Sequence, residues 1–255
     1  MPRIKYIGYA AAVVIVITAC SDSGEPATSG ETHAVAPPST SAAAPESAAP
    51  PPAIADDAVQ RSQTREAYFG NFHIHTSYSF DGYANGSVTY PDDAYRWARG
   101  EAIPGGGDGS MLKILRPLDW YAVSDHAEFL GVFPKMADPD SPLSKLELAA
   151  RVTSDDQLVA FKAYAETLDN VSAGKVDPAL VDPEVVTTIW QEVVATADKH
   201  NEPGKFTTFP AYEWSSNPEK QNLHRVVVFK DSGGVPAIPF SSIDSDRPED
   251  LWTYL

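Results

Sequence analysis

Residues 72–76 read Phe-His-Ile-His-Thr, and this run constrains the chain more than any other. Apolar and polar residues alternate, so a strand here turns Phe72 and Ile74 one way and His73 and His75 the other. Residues i and i+2 then share a face roughly 7 Å apart. Two imidazoles at that spacing can lean onto one metal through bonds of about 2.1 Å. A pair of surface histidines has the same local pattern, so the rest of the chain must decide between the two readings.

Four segments read as strands: "FGNFHIHT", "PLDWYAVSDHAEF", "KFTTFPAYEW" and "NLHRVVVFK". Helical signals lie between them. "TYPDDAYRWARG" has Pro91 near its start, Asp92 and Asp93 in its first turn and Gly100 as its stop. A mainly helical stretch spans about 141–200, with Ser154, Asp155 and Asp156 capping one helix and Asp182-Pro183-Glu184 opening another. In the latter, Val185, Val186, Ile189, Trp190, Val193, Val194 and Ala197 form an apolar stripe that reads as core. "GGGDG" at 105–109 is a loop and not a phosphate cradle, because no Gly-Lys-Ser/Thr follows. Strands alternating with helices predict an α/β fold with mainly parallel strands.

Such folds place their chemistry at the carboxyl ends of strands. The metal-type residues fall there: His73, His75, Asp81, Asp125, His126, Glu213 and His224. Imidazole with carboxylate and without thiolate suits zinc, manganese or iron. Any one of these residues alone is more often structural; their joint placement carries the metal reading. Of the remaining histidines, His33 lies in a region with nothing to pack, and His200 closes a helix, where a cation suits the dipole. Tyr212 and Trp214 read as core, Arg225 points away from His224's face, and Glu128 either touches substrate or is solvated.

The front of the chain is of another kind. Residues 1–19 carry a basic head (Arg3, Lys5) and then an apolar run too short for a comfortable permanent span, which reads as an export signal. "ITAC" resembles the bacterial lipobox, so Cys20, the only cysteine of the chain, is expected to be lipidated. Residues 20–66 are Ala-, Pro- and Ser-rich and read as a disordered tether. Residues 67–255 are the folded domain. The expected location is extracytoplasmic and membrane-anchored, at the outer membrane where there is one, as Ser21 after the cysteine implies. A net charge of −16, more negative still without Arg3 and Lys5, argues against nucleic acid as a partner. "DSDRPEDLWTYL" opens a helix and then stops. The chain is therefore expected to be a fragment, with Leu251, Trp252, Tyr254 and Leu255 lacking partners.

"FHIHTSYSFDG", "DWYAVSDHAEFLG" and "FPAYEWSS…NLHRVVVF" resemble successive motifs of the polymerase and histidinol phosphatase (PHP) superfamily, and within it the bacterial domain of unknown function 3604. The resemblance covers residues 68–255. It implies a distorted (β/α)7 barrel, here incomplete at about its first four strands, with up to three divalent metals at its mouth. Carried over by motif, His73 and His75 are the first ligand pair and Asp81 the next ligand, often His in relatives. His126 is the ligand of the Asp-His motif, supported by Asp125. Glu213 is the bridging carboxylate and His224 a ligand of a further metal. The superfamily's additional histidine and late Asp-x-His are missing from this sequence. The implied activity is hydrolysis of a small-molecule substrate, a phosphoester by analogy, by water activated at the metals. The alternatives are a non-catalytic metal- or ligand-binding lipoprotein and an amidohydrolase-type enzyme acting on an amide or lactone.

Overall fold

The computed structural model describes residues 65–105 and 109–255. The signal segment, Cys20, the tether and the centre of the glycine loop lie outside the described residues. Among the described residues no helix is long and apolar enough to cross a membrane.

The elements run β1 (Gly70–Asn71), α1 (Phe80–Ala84), α2 (Pro91–Ala98), β2 (Ile103–Pro104), β3 (Met111–Leu112), β4 (Trp120–Tyr121), α3 (Val132–Lys135), α4 (Glu147–Val152), α5 (Gln157–Ser172), α6 (Pro183–His200), β5 (Thr207–Thr208), β6 (Ala211–Ser216), β7 (Leu223–Val228) and α7 (Pro248–Tyr254). Strands β1, β4 and β5 form a parallel sheet in that order, with Gly70, Trp120 and Thr207 in register.

Two strand expectations need correction. The alternation puts His73 and His75 inside the first strand, but its ladder ends at Asn71. The Asn71 side chain accepts the His73 N–H at 3.0 Å and takes that donor out of the ladder. The chain nonetheless stays beside the second segment: Ser124 N–H donates to Ile74 O at 2.9 Å, and Ile74 N–H donates to Ser124 Oγ at 3.1 Å. The third segment is two strands, β5 and β6, separated by Phe209 and by Pro210, which has no N–H to give a ladder.

The mainly parallel expectation also fails for four of the seven described strands. β6 and β7 pair antiparallel, Ala211 with Val228 through Ser216 with Leu223, as do β2 and β3. β6 still joins the parallel side: Glu213 N–H donates to Asp125 O at 3.0 Å and Ala127 N–H to Glu213 O at 2.8 Å. The segments 70–75, 120–127, 207–216 and 223–228 thus lie side by side. Among the described residues they do not close into a barrel.

The helical signals match observed elements. α2 begins at Pro91, and Asp156 caps α5 by accepting the Leu158 N–H. Asp182 caps α6, whose buried face is Ile189, Trp190, Val193, Val194, Ala197 and His200. Ile189, Trp190, Val193 and Val194 pack with Tyr212, Trp214, Phe133 and Leu130 into the main core, and Ala197 joins a second cluster with Tyr95, Tyr121 and Phe206. Each large apolar side chain buried there contributes on the order of 2 kcal/mol. The expectation that α7 lacks partners is wrong for Leu251, which is buried in this core. Tyr254 is half-covered: its ring lies 5.0 Å from that of Phe240. Trp252 and Leu255 are exposed.

Candidate metal centre

The six sequence-derived ligands converge. Three overlapping groups have donor atoms within 4.8 Å of one another: His73, His75 and Glu213; His75, Asp81 and His126; and His126, Glu213 and His224. Glu213 is fully buried and lies between the two groups that share it. His73 Nε2 and His75 Nε2 each stand 2.9 Å from Glu213 Oε2, and His224 Nδ1 contacts Glu213 Oε1. Asp81 lies farther off, with Oδ1 3.5 Å from His75 Nδ1 and Oδ2 3.7 Å from His126 Nε2.

The fold brings these side chains together in two ways. Glu213 and Ser215 alternate onto one face of β6, leaving Tyr212 and Trp214 to the core. Because β7 runs antiparallel, its first residues stand beside the last residues of β6. Ser215 pairs with His224, and His224 reaches Glu213 from the start of its own strand rather than from the end. Arg225 pairs opposite Trp214 and is exposed, as the alternation requires. Asp81 comes from α1, which fits against the histidine segment because residue 82 is glycine. A Cβ at Gly82 would meet Thr76 O at 2.1 Å.

Asp125 supports the centre from behind. It is buried and receives the Thr76 N–H at 2.5 Å, the Thr76 hydroxyl at 2.7 Å and the Ser79 hydroxyl at 3.0 Å. Ser79 Oγ in turn accepts the His126 N–H at 3.0 Å and lies 2.8 Å from His75 Nδ1. Since Ser79 has already given its one proton to Asp125, it can only accept from His75. That places a proton on Nδ1 and makes Nε2, 2.9 Å from Glu213 Oε2, the nitrogen that a metal would take once its proton is displaced. Ser79 and Thr76 were missed in the sequence. Their only signal is the run of hydroxyl residues after His75.

The electrostatics follow from this crowding. Burial opposes a charge on His75, but the Asp81 and Glu213 carboxylates outweigh it and raise its pKa to about 10. Burial alone would raise Glu213, yet His75, His126 and His224 hold it at about 2. The same competition between burial and the imidazoles of His126 and His75 leaves Asp81 well below the usual carboxylate range. Asp125 and Glu128 are both pushed up by burial, against hydrogen bonds that favour their charged forms.

These residues fit a divalent cation. Among the described residues, the ion-pair partners of the fully buried Glu213 are all histidines, so its charge is matched only by groups that are also candidate metal ligands. Tetrahedral donors on one zinc lie about 3.3 Å apart, given bonds near 2.0–2.1 Å. The 2.9 Å separations here are close to that. His200 stands apart from the centre, with Nε2 2.8 Å from Asp92 Oδ1 and its ring stacked on Tyr95.

Glu128, left open by the sequence, is 5% exposed and therefore not solvated. Its Oε1 accepts the N–H groups of Ser215 at 3.2 Å and Ser242 at 2.6 Å. The turn that follows is tight: Phe129 has φ +56°, rare for a bulky residue, and Gly131 has φ +63° with no room for a Cβ against Ile189.

Ser79→Ala removes the acceptor that sets the His75 tautomer. Loss of such support costs about 10- to 100-fold in metal affinity. We expect a decrease in that range in a competition titration against a chromophoric chelator. An unchanged affinity would rule the relay out.

No curated protein and no solved structure matches the chain. A family model described as "Protein of unknown function (DUF3604)" matches residues 62–255, the whole of the described domain. The chain therefore belongs to the DUF3604 family.

Proposed function

We propose that this chain is a metal-dependent hydrolase of the phosphoester type, related to the PHP superfamily. One observation carries the reading: six imidazole and carboxylate ligands, drawn from sequence positions 73 to 224, meet in three overlapping groups around one buried carboxylate. A bound divalent cation supplies Lewis acidity, lowering the pKa of water and offsetting charge on substrate oxygens.

The chain's own residues do the rest. Glu213 divides its oxygens, Oε2 towards His73 and His75 and Oε1 towards His224, so each oxygen would serve a different ligand group when metal is bound. The proton held on His75 Nδ1 by Ser79 leaves Nε2, which faces Glu213 beside His73, as the nitrogen that would hold metal. Asp81 and His126 stand at the edge of a cleft of about 740 Å³ that also reaches His224 and Ser215. A substrate ester placed there lies against two of the three ligand groups.

The test is turnover by protein loaded with zinc or manganese. Aryl phosphate mono- and diesters are set against an anilide and a lactone. Metal-dependent cleavage of a phosphoester, lost on chelation, is the expected result. Preference for the anilide or lactone would replace this reading with an amidohydrolase. Tight metal binding without turnover of any substrate would leave a non-catalytic binding protein.

A further inference from the structure

The cleft beside the candidate centre has a one-sided charge. The acids lining it are Asp81, Glu128, Glu219 and Asp246, and among the described residues lining it there is neither lysine nor arginine. Anion-binding sites ordinarily recruit those two residues. Among the described residues of the lining, a phosphate's charge is met at the ligand groups, and the acids beside them repel anions.

Glu128 points to what the rest of the cleft takes. Its carboxylate is held rigidly by Oε1 on the backbone of Ser215 and Ser242. Its Oε2 is buried and has no hydrogen-bond partner. Its one ion-pair contact among the described residues is His126 Nδ1 at 3.7 Å, beyond hydrogen-bond length, and Glu128 belongs to none of the three ligand groups. A buried carboxylate oxygen without a partner costs free energy unless a donor arrives. The neighbouring wall is aromatic: Phe80 stacks on Tyr164 at 5.9 Å and on His126 at 4.6 Å. Ring faces beside carboxylates attract organic cations.

We infer that this cleft binds a substrate carrying an ammonium group, donated to Glu128 Oε2 and flanked by Phe80 and Tyr164, while the ester sits at the ligand groups. The inference rests on the hydrolase reading of the same site and narrows its substrate to zwitterionic phosphoesters. Glu219 and Asp246 lie exposed on the lining, where they draw the cation in.

The experiment is calorimetric binding to the manganese-loaded protein of two probes that differ in one group. Phosphoethanolamine carries the ammonium, and propyl phosphate has a methyl in its place. Wild type is expected to bind phosphoethanolamine at least about tenfold more tightly, the range of a charge-assisted hydrogen bond. Glu128→Gln keeps the Oε1 acceptor for both backbone N–H groups and is expected to cut that gap to about threefold or less. A Glu219→Gln/Asp246→Asn protein, altered only at exposed positions, is expected to narrow it in part. Equal affinities in wild type, no binding of either probe, or a gap that survives in both variants would overturn the proposal. Selective binding without cleavage would sink the hydrolase reading and leave the cation site standing. Aryl phosphate cleavage without a preference between the probes would do the reverse.

Discussion

In a Glu213→Ala protein, divalent-metal content collapses and hydrolysis falls by more than about 100-fold, the upper end of what losing a mere supporting residue costs. The expectation is large because Glu213 is fully buried and belongs to two of the three ligand groups. Its removal leaves His73 and His224 without their carboxylate partner and His75 with Asp81 alone. It also takes away one of the two carboxylates that raise the pKa of His75. Glu213→Gln keeps the shape and removes only the charge. If charge is what matters, the Gln protein loses metal as the Ala protein does. Elemental analysis after loading, with turnover measured on the same samples, decides the matter. Wild-type metal content in both variants would remove Glu213 from the centre.

The second large effect is that of the metal on stability, and its size depends on pH. At a free concentration about 1,000 times Kd, binding to the folded state alone adds about 4 kcal/mol. The metal-free protein has its own pH dependence. His75 is raised from an ordinary 6.5 to about 10, so its stabilising contribution is complete below about 6.5 and is lost as pH rises through about 10. Glu213 is lowered from 4.5 to about 2, so its contribution is complete above about 4.5 and is lost as pH falls through about 2. Both contributions are whole between those bounds, about pH 4.5 to 6.5. Metal reverses the trend on the alkaline side, because it needs the His75 Nε2 lone pair that the proton occupies. The difference in melting temperature between metal-loaded and chelator-treated protein should therefore widen from about pH 6 to pH 9. A difference that stays constant across that range would show that His75 is not a ligand.

The candidate ligands could be read without the fold because their chemistry is local. His73 and His75 are two residues apart, and Asp125-His126 and Glu213 sit at the ends of β-leaning runs. Helix α6 was legible for the same reason: the Asp182 cap, Pro183 and the apolar stripe are all short-range signals. The strands were less so. Their length depends on which side chains compete for backbone donors, as Asn71 and Ser124 do. The direction of β7 depends on how the chain turns after Ser216, and Leu223–Val228 carries no local signal of direction.

What only the tertiary structure decided are the relations between distant residues. Asp125 holds Thr76 and Ser79, which lie 49 and 46 positions earlier. Glu128 is fixed by the N–H groups of Ser215 and Ser242, 87 and 114 positions later. No periodicity or spacing near Glu128 carries that information, so its sequence context fitted a solvated acid equally well. The metal-type residues were written in the chain itself. Which nitrogen of His75 faces Glu213, and which oxygen of Glu128 is left without a partner, follow from packing between segments far apart in sequence, because hydrogen-bond partners are chosen by three-dimensional proximity.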